Sequence, residues 1–462
     1  MDTGRSFRPF HTRELAGLGL LLLVVFATRV PWLAAGYGID PDCSRVIIAA
    51  RHIAETGEYE LSRGPAYPVH EYMVAAVVRG GPVFTNGLSA LFGCVAVLFF
   101  ALSLRRLGVR AYLLPSLLLA FVPVVYVNCT STIDYIPALA FLLAATYFAI
   151  AGRPLVSGIL LGFAIGTRIT SGAMLLPLAV WVALENTQGR RVRDIAILTV
   201  AALTTGFLVF LPAMFRYGTA FFAFADWTVY PELDKVFLLG VRGVWGYSAG
   251  TVAAVALLLF SLGGFFALTS TTTRASKHAV LVSSIAVILY LVAFLRAPFE
   301  AGYLIPVVPF VLLMLCLLYP PAYLRVVSVA LLPAFLLAPG ELDPARPAAI
   351  LHDHRIRQER QLQTTRIIEK VNTLPEKTII VAAWERPQIL ANLSRAEQEE
   401  HIYIYFITSN EQMREYQALG HDVYFLEGLD YHNLQTHQVD LVKLGAQPLF
   451  PPDSTAQAGH AP

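Results

Sequence analysis

Two carboxylates flank a proline at Asp40-Pro41-Asp42, and a third, Asp134, follows Asn128-Cys-Thr-Ser-Thr-Ile. Such groups can take a proton from a substrate, ligate a cation or accept hydrogen bonds from a polar ligand. They equally suit a solvated turn at 40–42 and a helix cap at 134. Arg168 stands inside an apolar stretch, between Thr167 and Thr170. A charge there is costly, so it either lines a cavity or snorkels to the interface. Arg63, Arg79, Arg216, Lys235, Arg242 and Arg296 are further cations that fall near one boundary of the apolar segments. A guanidinium fork matches a phosphate, which makes Arg63 and Arg168 candidates for holding one, and the Lys235 ammonium is a further candidate as a point charge. Tyr67 and His70 precede the second long apolar run and Tyr303 opens a late one, adding polar candidates for substrate binding. A lone histidine is more often structural. The sequence has no HExxH and no CxxC, so zinc-protease chemistry has no carrier. A divalent cation on the acids would be the one cofactor compatible with these residues.

The elements that position these groups must lie in a membrane. Of 462 residues, 56% are hydrophobic and 14% charged, with a mean hydropathy of +0.59. A soluble domain carries about 25% charged residues. The composition excludes a soluble enzyme and a disordered chain, and a net charge of +2 gives no basic surface for nucleic acid. Apolar runs long enough to cross a bilayer fall at about 15–35, 82–104, 112–127, 134–151, 194–213, 247–269, 279–296, 303–319 and 323–340. Residues 154–186 read as two short helices meeting near Arg168, for about 11 spans in all. Arginine and lysine clusters at 5–13, 105–110, 190–193 and 274–277 then share one side, which places the N-terminus in the cytoplasm. Cleavage of the first span after Leu33-Ala34-Ala35 is the weaker reading, because the run is long for a signal sequence and Arg29 and Trp32 sit near its end.

The charge is unevenly spread. Residues 341–462 hold 28 of the 66 charged side chains and seven of the 11 histidines. The chain therefore reads as a membrane domain, 1–340, with a long external loop at 36–81, followed by a soluble extracytoplasmic domain, 341–462. Within the loop, Val46, Ile47, Ala50, Ile53 and Ala54 recur at helical spacing, the pattern of an amphipathic helix in the membrane interface. In the tail, a helix at 352–372, strands at 378–383, 402–407, 422–426 and 439–444, and a helix at 409–419 make a small α/β domain without a glycine-rich phosphate loop. Cys43 and Cys129 would lie on the same side, where a disulfide between them is conceivable.

Four segments, in order, resemble the GT-C glycosyltransferases, in particular the family 39 group of protein mannosyltransferases and aminoarabinose transferases. They are Thr28-Arg29-Val30-Pro31-Trp32-Leu33, the stretch Asp42 to Gly57 with Tyr59, the acid Asp134, and Gly302-Tyr303-Leu304-Ile305-Pro306-Val307-Val308-Pro309. The resemblance covers about 15–340. Cys43 stands where the family usually has Glu, and Gly302 where it usually has Arg. The resemblance implies a polytopic α-helical enzyme that takes a sugar from a polyprenyl-phosphate donor and passes it to a glycan, lipid or protein acceptor on the outer side of a bacterial cytoplasmic membrane. It implies Asp42 as general base, Asp134 as orienting acid and Asp40 as a possible substitute for the missing Glu. A transporter or flippase of lipid-linked substrates, or a non-catalytic envelope scaffold, is the rival expectation. A transporter predicts paired broken helices in two halves, and the sequence shows one interruption, at 167–170.

Overall fold

A computed structural model describes residues 10–185, 189–222, 230–246, 274–319, 321–331, 350–426 and 441–450. In the membrane part the helices are α1 (Thr12–Ala27), α2 (Pro41–Thr56), α3 (Pro68–Ala75), α4 (Gly81–Arg106), α5 (Leu113–Phe121), α6 (Pro123–Asn128), α7 (Tyr135–Ile150), α8 (Pro154–Thr167), α9 (Leu175–Glu185), α10 (Arg191–Tyr217), α11 (Leu233–Leu238), α12 (Arg274–Arg296), α13 (Val307–Leu318) and α14 (Pro321–Leu331). Five described segments are long and apolar enough to cross a membrane: Thr12–Trp32, Val78–Arg106, Arg191–Tyr217, Ala275–Arg296 and Ala301–Leu318. The expected run at 112–127 is two short helices, because Pro123 cannot continue α5 and Val122 is extended. The expected span at 247–269 and the end of the one at 323–340 lie outside the described residues.

The centre of the bundle is α7, packed on α4 and α8, with α8 packed in turn on α10. Glycines set that last contact. Gly158, Gly162 and Gly166 repeat every fourth residue and so share one face of α8. A Cβ at Gly158 would lie 2.4 Å from the Leu198 carbonyl, and one at Gly162 would lie 2.9 Å from that of Ala202. The two backbones touch only because those side chains are missing, as in small-residue membrane packing generally. Immediately after this stripe α8 stops. Arg168 is extended, at φ −156° and ψ 114°, and a 3₁₀ segment, Ile169–Met174, leads into α9. The two-helix expectation for 154–186 therefore holds.

The helix expected after the first span is α2. Asp40 caps it, accepting the Asp42 backbone N–H at 2.8 Å, Pro41 opens it and Gly57, at φ 74°, ends it. Its apolar face (Val46, Ile47, Ala50, Ile53) is buried under protein, against α3 and the C-terminal domain, instead of facing lipid.

The C-terminal domain begins with α15 (Ile350–Val371) and continues through β1 (Ile379–Val381), α16 (Arg386–Asn392), α17 (Arg395–Glu400), β2 (Ile402–Ile404), α18 (Asn410–Ala418), β3 (Val423–Phe425) and β4 (Gln447–Pro448). The four strands are parallel in the order β2-β1-β3-β4, with Ile379 paired to both Ile402 and Val423. Ile367, Val371, Ile389 and Leu390 cover one face of the sheet, and Met413 of α18 covers the other. Ser409 caps α18 as its sequence position leads one to expect. The strand expected at 439–444 is not there: 441–445 is a turn, 439–440 lie outside the described residues, and the fourth strand comes later. Gly445, at φ 86°, belongs to that turn.

This domain sits on the Asp42 end of the bundle. Arg357 donates to the Thr130 carbonyl (2.6 Å), the Val127 carbonyl (3.2 Å) and Ser131 Oγ (2.8 Å). Arg360 donates to the Ile39 carbonyl at 2.7 Å, and Arg51 of α2 donates to that of Leu393 at 3.0 Å.

Candidate functional site

Loop 59–67 delivers the first cation. Glu71 of α3 is fully buried and gathers the loop around itself: Ser62 donates to it from its backbone N–H (2.7 Å) and its hydroxyl (2.6 Å), Tyr67 donates its N–H (3.3 Å), and the Tyr59 hydroxyl closes the ring. Burial pushes the Glu71 carboxyl upward, against these donors. Fixed this way, Arg63 lies over the Tyr67 ring, 4.0 Å from its centre.

Arg63 then joins the two acids expected to work together. Its Nε meets Asp42 at 2.7 Å and its Nη2 meets Asp134 at 2.6 Å. Asp134 has no exposed surface and takes its second partner, Arg168 Nη1, at 2.6 Å. A buried carboxylate between two guanidiniums is neutralised more than once over, which is what allows it to sit there. The glycine stripe and the break after α8 explain how Arg168 reaches it. Its guanidinium lies 4.2 Å from the ring centre of Tyr135 and 4.9 Å from that of Tyr303. Among the described residues, its Nε and Nη2 have no hydrogen-bond partner, so two donors of the fork remain for a ligand. Asp42 is less free, since its other oxygen pairs with Arg45 at 2.9 Å.

The third acid of the group is Glu300. Its carboxylate accepts from the Tyr135 hydroxyl, and Asp40, Asp42 and Glu300 each place an oxygen within 4.8 Å of the others. Enclosure, then repulsion from Glu300 and Asp42, pushes the Asp40 carboxyl well above the usual carboxylate range; Glu300 is raised too, chiefly by burial. Three crowded carboxylates fit a hard divalent cation, which would relieve this repulsion. Asp40, Glu300 and Tyr135 line a cavity of about 710 Å³ between the bundle and the C-terminal domain. Asp42, Asp134 and Arg168 stand behind that wall.

The structure thus brings together Asp40, Asp42, Asp134, Arg63, Tyr67, Arg168 and Tyr303. His70 is near them but completely buried, with neither ring nitrogen hydrogen-bonded; burial pushes its pKa down to about 4. Lys235 does not join. It is exposed on α11, and its backbone N–H bonds Asp234, whereas Arg242 is the cation from that region that lines the cavity. Cys43 and Cys129 are free thiols. Cys129 faces Gly93, where a Cβ would come within 2.6 Å of its sulfur, and Cys43 faces Gly38.

Sequence reasoning missed Glu300, Tyr135 and the buried Asn86. Asn86 Nδ2 donates to the carbonyls of Leu33 (2.9 Å) and Gly36 (2.8 Å), and Thr132 donates to Asn86 Oδ1 at 2.9 Å. With Thr132 N–H on the Tyr37 carbonyl at 2.8 Å, this amide holds the Asp40 loop beside the Asp134 loop. The Gly302 departure also has a cause. A Cβ there would lie 2.7 Å from the Tyr135 ring, so no arginine fits and Arg168 occupies the neighbouring space.

No protein-family model matches the chain, and no curated protein matches it. Among solved structures it is similar to ArnT from Cupriavidus metallidurans bound to undecaprenyl phosphate. The identity is 14%, the match covers 91% of this chain and 87% of that one, and the TM-score is 0.53. It also matches the Archaeoglobus fulgidus oligosaccharyltransferase in complex with zinc and sulfate, at 15% identity over 83% of this chain and 62% of that one, with a TM-score of 0.44. This chain therefore spans less than two thirds of the oligosaccharyltransferase. The likeness to ArnT is one of fold, a polytopic helical membrane architecture.

Proposed function

We propose that the protein is a membrane glycosyltransferase that moves a sugar from a polyprenyl-phosphate donor to a hydroxyl acceptor on the outer side of the membrane. The observation that carries this reading is Arg168, which shares the Asp134 carboxylate with Arg63, standing next to a carboxylate cluster that opens on a cavity. A fold shared with ArnT, which was solved with undecaprenyl phosphate, supports the donor class.

In the reaction the acceptor O–H gives its proton to a carboxylate while its oxygen bonds the anomeric carbon. The anomeric carbon–phosphate oxygen bond breaks, and the phosphate leaves with the electron pair. Arg168, whose guanidinium lies against the cavity-lining Tyr135, supplies positive charge that stabilises the phosphate as its charge grows. Asp134 positions both arginines. Asp42 holds Arg63 and Arg45, so Asp40, which lines the cavity, is the better placed of the acid pair to receive the proton. Asp40, Asp42 and Glu300 would also hold a divalent cation, which would supply positive charge beside the leaving phosphate.

The test is transfer from undecaprenyl-phosphate sugars by reconstituted protein, read as release of undecaprenyl phosphate. Loss of a general base lowers rate by about 10²–10⁴. Asp40→Asn is expected to fall in that range, and Asp42→Asn to fall as well through displacement of Arg63. Full activity in Asp40→Asn would move the base to Asp42, and full activity in both would sink the acid-cluster mechanism.

A further inference from the structure

The cavity has a second wall, made by the C-terminal domain, and the chemistry above does not use it. The sheet order β2-β1-β3-β4 reverses direction at β1: the chain leaves β1 for β2 on one side, then crosses to β3 on the other. In open parallel sheets the carboxyl end of the strand at such a reversal is where ligands bind. Here that end is Ala382-Ala383-Trp384-Glu385. Ala383 adopts φ 44°, a left-handed conformation that is costly for a residue with a Cβ and that collects at functional sites. The next residue, Trp384, is 46% exposed in a domain whose other aromatic groups near the sheet are mostly covered. It borders the cavity, together with Glu385, Gln388 and Gln363. Tyr405 and Phe406 meet its indole edge-on, with centroids 6.2 and 6.1 Å away, and so limit its rotation. Among the described residues, the side chains of Glu385, Gln388 and Gln363 have no hydrogen-bond partner.

We infer that Trp384 is the platform of a saccharide-binding subsite in the C-terminal domain, with Glu385, Gln388 and Gln363 taking the ring hydroxyls. A pyranose offers an apolar C–H face, which an indole covers, and a rim of hydroxyls, which amides and a carboxylate satisfy in both donor and acceptor senses. Of the acids on this wall, Asp353 pairs with Arg357 and Glu359 with Arg355, which leaves Glu385 beside Arg360; a wall without excess positive charge suits a neutral ligand better than an anion. The subsite deepens the glycosyltransferase reading and rests on it for the identity of the sugar: either the acceptor glycan or the sugar of the donor occupies it.

The experiment is saturation-transfer NMR on the full-length protein in detergent with mannotriose, maltotriose and chitotriose. Because no donor turnover is involved, the result stands apart from the transfer assay. At least one trisaccharide is expected to receive saturation. Trp384→Ala is expected to weaken that signal about two- to tenfold, with Trp384→Phe in between. The phenyl variant keeps an aromatic face and so separates lost stacking from lost folding. Undecaprenyl-phosphate mannose added in excess displaces the trisaccharide if the donor sugar occupies the subsite and leaves it bound if the acceptor does; either result supports the site. No saturation of any trisaccharide, or a Trp384→Ala signal equal to wild type, overturns the inference. So does a Trp384-dependent signal from a serine-containing peptide alone, which would make the wall a peptide site.

Discussion

Asp134 and Arg168 form a pair in which neither member can be changed cheaply. Removing one partner of a buried ion pair costs about 3–5 kcal/mol, because the other charge stays buried. Arg168→Ala should therefore lower the melting temperature in detergent as well as transfer. Arg168→Lys keeps the charge but not the fork, so the protein should melt close to wild type while transfer falls about 10²-fold; equal loss of stability in both variants would show that the fork itself holds the fold. His70 makes a second prediction, in pH. Its ordinary pKa is near 6.5 and burial lowers it to about 4. The folded state thus binds fewer protons than the unfolded one between these values, so stability is full above pH 6.5 and declines as pH falls toward 4. His70→Leu should flatten the melting temperature over that window, and an unchanged slope would mean that other groups set it. Arg168 was legible in the sequence because a charge in apolar chain is scarce and its cost demands a reason; Asp42 and Asp134 stood out as boundary carboxylates in segments that resemble the family's, and Arg63 as one of several boundary cations. Glu300 and Tyr135 were not, because their pairing joins residues far apart in the chain, and no local pattern records it. Lys235 misled for the opposite reason: a long cation at a membrane boundary is as easily solvated as functional.

The helices decide whether those residues can meet. Arg168 reaches Asp134 because α8 lies on α10 at backbone distance, and the glycine stripe permits it. Gly162→Ala would push a methyl to 2.9 Å from the Ala202 carbonyl and 2.4 Å from Thr205 Cβ, so the helices must part. Overpacking of this kind costs about 1–3 kcal/mol. The melting temperature should fall, and transfer should fall with it because Arg168 shifts. Gly87→Ala on α4, where a Cβ meets nothing within 4 Å, is the control and should leave stability in place. If both variants melt alike, the stripe is not what fixes α8. At this scale the sequence was generous. The break at 167–170 and the α2 helix follow from local composition, and its end at Gly57 from the resemblance; the structure keeps all three. Strand β4 was misplaced because two residues of pairing are set by the neighbouring strand and not by their own pattern.

The whole molecule is two bodies sharing one cavity, and the joint between them is arginine-rich. Arg357, 3% exposed, bonds three groups of the 127–131 segment and pairs with Asp353 at 2.7 Å. That segment runs directly into Asp134, while Arg360, one turn on, holds the carbonyl just before Asp40. The C-terminal domain therefore braces both acid-bearing loops as well as walling the cavity, which a charge-rich tail does not reveal in its sequence. The composition shift marks a charge-rich unit, but its docking depends mostly on backbone carbonyls that any residues could supply. Arg357→Ala removes three hydrogen bonds and the ion pair with Asp353, so the expected loss is about 3–5 kcal/mol. The loss should appear as easier proteolytic release of the C-terminal domain and as reduced transfer. Arg355 on the same helix pairs with Glu359 at 2.7 Å but is 70% exposed, and solvent screens such a pair to almost nothing. Arg355→Ala should resist protease as the wild type does. Release of the domain in Arg357→Ala with transfer undiminished would mean that the bundle alone holds the acid loops in place.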